Sequence, residues 1–343
     1  MPRPSRRRSF TFAMPHKPLF RKPKIPFAGA RTPRAVGQIE GGAAIFGAPH
    51  GTPYRGIDNR PHAASADALR KAVAADGDWR GHWDFDLAGP LLGHADFNLA
   101  DLGDLPTKPG TGARNRELIE GAARAILSRN AVPIMIGGDD STPIPFIRAF
   151  NSLEPLTVLQ IDAHIDWRDE RRGEKLGFSN TMRRVSEMAH VTRIIQIGAR
   201  GLGSARKQEY HDALAWGAQI IPAAVIHTSG IKAALDLIPR DANCLITIDC
   251  DALDGATMPA VMMPTPGGLT YRHIIDLIAG VAGKAKLVGM DMIEFVPARD
   301  KSGYSAYVAA RIIWNVIGRL AQAADAAAGH SAAIDEGADR PAR

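Results

Sequence analysis

Short apolar runs rich in β-branched residues recur along the chain between residues 43 and 295. Their apolarity is continuous rather than alternating, which is typical of strands buried on both faces of a parallel sheet. The pattern therefore predicts eight strands, at 43–49, 97–104, 133–140, 157–164, 193–200, 218–226, 244–251 and 287–295.

Segments with helical periodicity separate most of these runs. Apolar residues recur every three to four positions at 65–75, 116–129, 273–284 and 305–324. Strands that alternate with helices form βαβ units, whose helices cover a parallel sheet. We therefore expect an α/β fold. Since no composition shift or internal repeat interrupts this pattern, we expect one domain, with bounds at 41–324.

Both ends of the chain differ in composition from this middle part. Residues 1–34 contain ten Lys and Arg and no Asp or Glu. Since the net charge of the whole chain is +6, residues 35–343 carry a net charge of −4. Such a Pro-broken basic stretch is typical of a solvated arm. We predict a disordered arm over 1–40 and a small, polar, disordered tail over 325–343.

Several classes of protein are excluded by composition. No apolar run reaches 18 residues, so no membrane partner is expected, and the N-terminal stretch lacks the apolar region of a secretory signal. The body of the chain offers no basic stripe, which argues against a nucleic-acid partner. Cys244 and Cys250 lie in one apolar run and are predicted to be buried free thiols, which favours the cytoplasm.

Acidic side chains follow four of the predicted strands at the point where each ends. Because the carboxyl ends of parallel strands meet at one edge of the sheet, we expect these side chains to lie close together. Buried carboxylates need compensation by salt bridges, a helix N-terminus or a metal ion. The residues concerned are Asp139, Asp140, Asp162, His164, Asp166, Asp249, Asp251, Asp254 and Glu294.

Metal ions explain these clusters better than the other two alternatives. The segments 137–141, 162–166 and 249–254 contain no Lys or Arg, so salt bridges are not the main compensation. Helix capping would explain one such segment taken alone, but not all of them together. Carboxylates with one imidazole suit Mn²⁺ or a similar ion, and their number exceeds one tetrahedral site. The pattern therefore indicates two ions that share carboxylates, as in two-metal hydrolytic sites.

The order and spacing of these segments resemble the ureohydrolase family of arginases, agmatinases and guanidino-acid hydrolases, in its agmatinase-like branch. The resemblance covers roughly residues 43–320 and implies a three-layer α/β/α sandwich with an eight-stranded parallel sheet. It also implies a binuclear Mn²⁺ centre, with Ni²⁺ as the alternative, and a trimer or hexamer. The matching segments include GAPHGTPYRGIDNRPHAASADALR, LADLGD, IGGDDS, IDAHIDWRD, IGARGLG, TIDCDALD, MPTPGGLTY and DMIEFVPARD.

The resemblance also implies roles for individual residues. Glu294 matches the carboxylate that receives the substrate guanidinium, a planar cation whose N–H groups fit a carboxylate. Asp166, or Asp162, would hold the proton of the attacking water. Asp254 is expected to orient a ligand or cap a loop rather than bind metal. Metal ligands are implied at Asp162, His164, Asp166, Asp249 and Asp251, with Asp162 and Asp249 shared by both ions.

This chain departs from the family pattern in three places. Asp140 stands where the family has a ligand histidine, and a carboxylate adds charge without a second ring nitrogen. Ser179 stands near the place of a loop histidine, which leaves His50 as the candidate for the missing imidazole. Met262 and Met263 replace a Gly-Thr stretch and favour a smaller or more apolar substrate group than an α-amino acid. We predict that Ser179 and the two methionines contact the substrate.

The function expected from this combination is hydrolysis of a guanidino compound to urea and an amine. Agmatine-like alkylguanidines are the first choice, and guanidinobutyrate, free guanidine and biguanides stay open. The two lost histidines leave a second hypothesis. The chain would then be a catalytically weak or inactive subunit, a structural partner of an active paralogue in a hetero-oligomeric guanidine or biguanide hydrolase.

Overall fold

A computed structural model describes residues 20–92, 97–203 and 205–329 of the chain. One eight-stranded sheet, parallel at every pairing, forms its centre, and a two-stranded hairpin lies apart from it. The strands are β1 (Ala43–Ala48), β2 (Trp83–Asp84), β3 (Gly89–Pro90), β4 (Leu99–Asp104), β5 (Val132–Gly137), β6 (Leu156–Ile161), β7 (Val191–Ile197), β8 (Gln219–Ile221), β9 (Asn243–Asp249) and β10 (Lys286–Ile293).

Helices cover both faces of the sheet and complete three layers. Two buried apolar clusters, one on each face, join the sheet to these helices. The predicted α/β/α sandwich is confirmed. The helices are α1 (Ser65–Ala72), α2 (Gly112–Leu127), α3 (Pro143–Arg148), α4 (Thr181–Ser186), α5 (Lys207–Trp216), α6 (Ala223–Ser229), α7 (Lys232–Asp236), α8 (Tyr271–Ala282) and α9 (Tyr304–Ala327).

The strands of the main sheet are apolar at successive positions because neighbouring residues pack on opposite faces, in different apolar clusters. In β1, Ile45 packs in the cluster that contains α8 and α9, whereas Ala44 and Phe46 pack against α2 and α3. All eight predicted strands are present. The run at 218–226 is only partly a strand, however, because β8 ends before Pro222, which has no N–H for the sheet and precedes α6.

The packed part of the chain begins before the predicted domain boundary at residue 41. Arg21 exchanges two backbone hydrogen bonds with Asp104 at the end of β4. Phe27 is fully buried, and its N–H donates to a carboxylate oxygen of Asp101 at 2.9 Å. Residues 20–40 therefore line the edge of the sheet. The rest of the predicted arm, residues 1–19, and residues 330–343 of the predicted tail lie outside the described residues.

The order of the strands brings the acidic segments together. Laterally the sheet runs β4-β1-β5-β10-β9-β6-β7-β8, so β5, β10, β9 and β6 are neighbours at its centre. These are the four strands that acidic side chains follow. In open parallel sheets the crevice for a ligand lies at such carboxyl ends. Among the described helices, none is long and apolar enough to cross a bilayer.

Candidate metal centre

Two groups of potential ligand atoms lie at the carboxyl ends of the central strands. Asp162, His164 and Asp251 form the first group, which we call the histidine group. Asp140, Asp162 and Asp166 form the second, which we call the carboxylate group. Within each group the ligand atoms lie within 4.8 Å of one another. Asp162 belongs to both groups, so its carboxylate stands between two candidate ion positions.

The turn after β6 shapes the histidine group. Asp162 is the first residue after this strand, and its Oδ1 accepts the backbone N–H of His164 at 2.6 Å. The ring Nδ1 of His164 then lies 3.4 Å from Asp162 Oδ1 and 3.2 Å from Asp251 Oδ2. The imidazole is thus held between two carboxylates.

Asp166 reaches the carboxylate group through an unusual backbone conformation. Its φ is 45°, in the left-handed region that non-glycine residues rarely adopt. Its carbonyl accepts the N–H of Arg183 on α4 at 3.2 Å, which anchors the end of the turn. The chain therefore folds back so that Asp162 and Asp166 point to the same place.

Asp140 provides the test of whether a cation fits. The residue is buried, and its Oδ2 has no hydrogen-bond partner within the part of the chain that the structure describes. A buried carboxylate oxygen without a partner costs several kcal/mol. A divalent cation among Asp140, Asp162 and Asp166 would remove that cost. The donor set therefore fits a bound metal ion.

Asp249 lies beside both groups without joining either. It ends β9, and its Oδ1 accepts the N–H of Asp251 at 2.7 Å. Burial raises its pKa well above the usual value, and the charges of Asp251 and Asp162 add to this effect. The role implied for Asp249, a ligand shared by two ions, stays a prediction.

The electrostatics of the metal-free cluster show an excess of negative charge. Burial, followed by the charges of neighbouring carboxylates, raises the pKa of Asp140 and Asp166 well above the usual value. Burial raises the pKa of Asp251 to about 6. Although burial opposes it, the hydrogen bonds and charges of Asp162 and Asp251 raise the pKa of His164 to about 12. These raised pKa values mean that the cluster retains protons, which neutralise part of its negative charge. A bound cation would neutralise that charge instead.

Glu294 lies next to the carboxylate group and has an unexpected neighbour. Its Oε1 accepts the N–H of Asp140 at 2.8 Å, and its φ is 62°. His62 Nε2 lies 2.9 Å from Glu294 Oε2, although the ring nitrogen is not directed along a hydrogen bond. Burial opposes protonation, but the charge of Glu294 raises the pKa of His62 to about 9. Sequence reasoning gave His62 no ligand context and missed this ion pair.

Two other buried side chains were also missed. Gln160 on β6 and Gln196 on β7 lie directly below the turn that carries Asp162 and Asp166. A glutamine inside an otherwise apolar strand was the available signal, because buried amides need hydrogen-bond partners.

His50 and Ser179 lie outside the two ligand groups. His50 Nδ1 is 3.2 Å from Thr107 Oγ1, and burial lowers its pKa. Ser179 Oγ is 2.6 Å from the hydroxyl oxygen of Tyr54. Their predicted roles in catalysis and substrate binding stay predictions.

The loops around the cluster are tied together by Arg200. Its guanidinium donates to the carbonyls of Asp251 at 2.6 Å and Thr265 at 2.9 Å. Nearby, Met262 and Met263 are 37% and 65% exposed, so both are accessible to a bound molecule. Arg200 therefore joins the turn after β9 to the loop that follows the methionines.

Asp254 caps this same loop, which is one of the two roles expected for it. Its carboxylate accepts the N–H groups of Ala256 at 3.0 Å and Gly268 at 3.2 Å. A side chain at Gly268 would meet the backbone of Leu253 and Asp254, so only glycine allows this close approach.

Comparisons with known proteins agree with this architecture. The sequence model of the arginase family matches residues 42–318. The agmatinase of Bacillus subtilis strain 168 is 29% identical over 223 residues, which are 64% of this chain and 74% of that protein. An N(1)-aminopropylagmatine ureohydrolase of Thermus thermophilus is 28% identical over 215 residues, 62% of this chain and 71% of that protein.

A solved structure also has a fold similar to that of this chain. Proclavaminate amidino hydrolase from Streptomyces clavuligerus superimposes with a TM-score of 0.74 at 25% identity, covering 87% of this chain and 97% of that one. The family match spans most of the chain, including the eight strands of the main sheet and the acidic clusters at their carboxyl ends. The protein therefore belongs to the arginase family and is a metal-dependent ureohydrolase, which acts on the C–N bonds of linear amidines.

Proposed function

We propose that the protein hydrolyses an agmatine-like alkylguanidine to urea and an amine at a centre of two divalent metal ions. The observation that carries this proposal is the pair of ligand groups that share Asp162. Two ions joined by a shared carboxylate are the arrangement of two-metal hydrolases.

The ions would be held by six side chains. Mn²⁺ is the proposed metal, because carboxylate-rich donor sets suit it, and Ni²⁺ is the alternative, because Asp140 alters the donor set. When bound, such ions activate water and stabilise negative charge on the reacting group. The proposed ligands are Asp140, Asp162, His164, Asp166, Asp249 and Asp251.

Glu294 is proposed to bind the guanidinium of the substrate. Its side chain is 14% exposed, so it can be reached from the crevice, and the N–H of Asp140 fixes one of its oxygens. Two N–H groups of a planar guanidinium can donate to one carboxylate. The guanidino carbon would then lie beside the carboxylate group.

Asp166 is proposed to carry the proton. A carboxylate oxygen of Asp166 takes a proton from water as the water oxygen bonds to the guanidino carbon. The bond from that carbon to the alkyl nitrogen then breaks, its electron pair stays on nitrogen, and the proton held by Asp166 moves to that nitrogen. The second proton of the water leaves the oxygen of the new urea and also ends on the amine. The balance is R–NH–C(NH₂)₂⁺ plus H₂O giving R–NH₃⁺ plus urea. His50 is the proposed second proton carrier.

The substituent on the guanidine is proposed to contact Ser179, Met262 and Met263. Exposed methionines are adaptable apolar contacts, so they favour a compact or apolar chain over a charged α-amino acid group. Guanidinobutyrate, free guanidine and biguanides are the other substrates to compare with agmatine.

A second candidate function is supported by two observations. Asp140 adds a buried carboxylate where the family has an imidazole, and His62 already occupies Glu294. Both features favour a catalytically weak subunit, which would act as a structural partner in a hetero-oligomer with an active paralogue.

Metal content distinguishes these two functions. The protein would be purified from cells supplied with Mn²⁺ and Ni²⁺, analysed by mass spectrometry for metal, and assayed for urea release. We expect about two ions per chain and urea from agmatine. Glu294→Gln is the matched control, which should keep both ions and release no urea. A chain that holds no ion, or one weakly held ion, and releases no urea would favour the partner subunit.

We also propose a homo-oligomer, as a trimer or hexamer, in the cytoplasm. The location is supported by Cys244 and Cys250, which are both free and buried. Light scattering of the purified chain, alone and with a paralogue, measures the assembly.

A further inference from the structure

One buried amide contacts two of the proposed ligand carboxylates. Gln160 on β6 is 1% exposed. Its Nε2 donates to Asp162 Oδ2 at 2.7 Å and to Asp166 Oδ2 at 2.9 Å. The NH₂ group of Gln160 therefore bridges the two carboxylates at the ends of the turn after β6, with one N–H for each.

A second amide sets the orientation of the first. Gln196 lies on β7 directly opposite Gln160 in the strand register and is equally buried. Its Nε2 donates to Gln160 Oε1 at 2.5 Å and to the carbonyl of Ile165 at 2.8 Å. Since the oxygen of Gln160 accepts this bond, its NH₂ group must face the carboxylates.

A neutral donor suits this position better than a charged one. Asp162 and Asp166 converge in a buried place, where like charges repel strongly. A Lys or Arg would offset that repulsion but would also repel a divalent cation. The amide of Gln160 supplies two donors without charge, one to Oδ2 of each carboxylate.

We propose that Gln160, oriented by Gln196, is a positioning residue that fixes Asp162 and Asp166 relative to each other before an ion binds. This inference rests on the proposed metal centre. Partners that orient ligand carboxylates typically change metal affinity by 10- to 100-fold when removed. The same range is expected here.

The test replaces the amide by an apolar side chain of similar size. Mn²⁺ binding to EDTA-treated Gln160→Met is measured by titration calorimetry, and the coupling of the two ions is followed by electron paramagnetic resonance. We expect binding that is weaker by about 10- to 100-fold and an altered coupled spectrum. The matched control is Gln208→Met on the exposed face of α5, which should bind like the wild type.

Gln196→Met keeps the test valid if Gln160→Met does not fold. This variant leaves Gln160 in place but frees its amide to rotate, so a smaller weakening is expected. Wild-type affinity, within twofold, in every folded variant would overturn the positioning role and leave the proposed function standing. A wild-type chain that binds no Mn²⁺ or Ni²⁺ would overturn the metal centre and the positioning role together.

Discussion

The histidine group and the carboxylate group share Asp162 but differ in the charge around them. In the histidine group the imidazole of His164 lies between two carboxylates, and burial raises the pKa of Asp251 only to about 6. In the carboxylate group no imidazole is present, and the pKa values of Asp140 and Asp166 are raised well above the usual value. The two groups at this sheet edge therefore differ in how much negative charge a bound cation would have to neutralise.

This difference concerns competition between protons and metal ions. A carboxylate whose pKa is raised by its neighbours gives up its proton to a divalent ion less readily at low pH. His164 of the histidine group, with a pKa of about 12, also holds a proton that an ion must displace. We therefore expect ions in both groups to be lost when the solution is acidified. The predictions below break this comparison or sharpen it, in order of decreasing effect.

The largest effect is expected from the residue that both groups share. Asp162→Asn removes a ligand charge from both positions, so we expect fewer than one ion per chain and a loss of urea release by roughly 1,000-fold or more. Metal analysis and urea assay measure both. The control is Asp58→Asn, whose exposed carboxylate pairs with Arg60. Two ions retained in Asp162→Asn would contradict the shared role.

Exchanging the distinguishing ligands should reverse the difference between the groups. Asp140→His lowers the negative charge of the carboxylate group, so its ion is expected to bind about 10-fold tighter at neutral pH. His164→Asp should weaken the ion in the histidine group by a similar factor. Titration calorimetry with Mn²⁺ at several pH values measures both constants. If Asp140→His binds more weakly, the comparison is wrong.

The smallest effect is expected on the stability of the metal-free protein, which should fall as the pH rises from about 5 to 9. Burial raises the pKa of Asp251 from 3.8 to about 6 and that of Asp291 to about 8. Although burial opposes it, the charge of Glu294 raises the pKa of His62 from 6.5 to about 9. In each case the folded state binds more protons than the unfolded state, so stability is lost as the pH rises through the folded pKa.

Thermal unfolding of EDTA-treated protein at pH 5.5 and 8.5 measures this trend. Between these two pH values Asp251 alone corresponds to a loss of about 1 kcal/mol, because most of its shift from 3.8 to about 6 titrates below pH 5.5. Saturating Mn²⁺ should remove the part due to Asp251, because an ion replaces the proton on this carboxylate, and leave the parts due to Asp291 and His62. A higher unfolding temperature at pH 8.5 than at pH 5.5 without metal has the wrong sign for this account.

Much of the fold could be predicted because the sheet is buried on both faces. Continuous apolar runs marked all eight strands of the main sheet but not the β2–β3 hairpin. Carboxylates placed just after β5, β6, β9 and β10 had to meet once those strands were neighbours. The sixth run was too long because apolar residues of α6 continue past Pro222 without a break in hydrophobicity. The edge packing of residues 20–40 depends on single residues such as Phe27, which a basic composition conceals.

The parts of the site that sequence reasoning missed are those that act through a neighbour. Neither Gln160 nor His62 belongs to a sequence motif with the spacing of metal ligands. Gln160 contacts Asp166 across a turn, and His62 contacts Glu294 on a different segment. Their roles follow only from distances. By contrast, the two ligand groups contain four carboxylates that the acidic clusters had already marked.

Two left-handed residues bear on what this chain is for. Asp166 and Glu294 have φ values of 45° and 62°, a conformation that costs a non-glycine residue on the order of 1 kcal/mol or more. A subunit that served only as scaffold would be more stable with glycine at both positions. Two of the seven described non-glycine residues with positive φ are thus the proposed reactive carboxylates, where a trade between stability and activity is expected in a working enzyme.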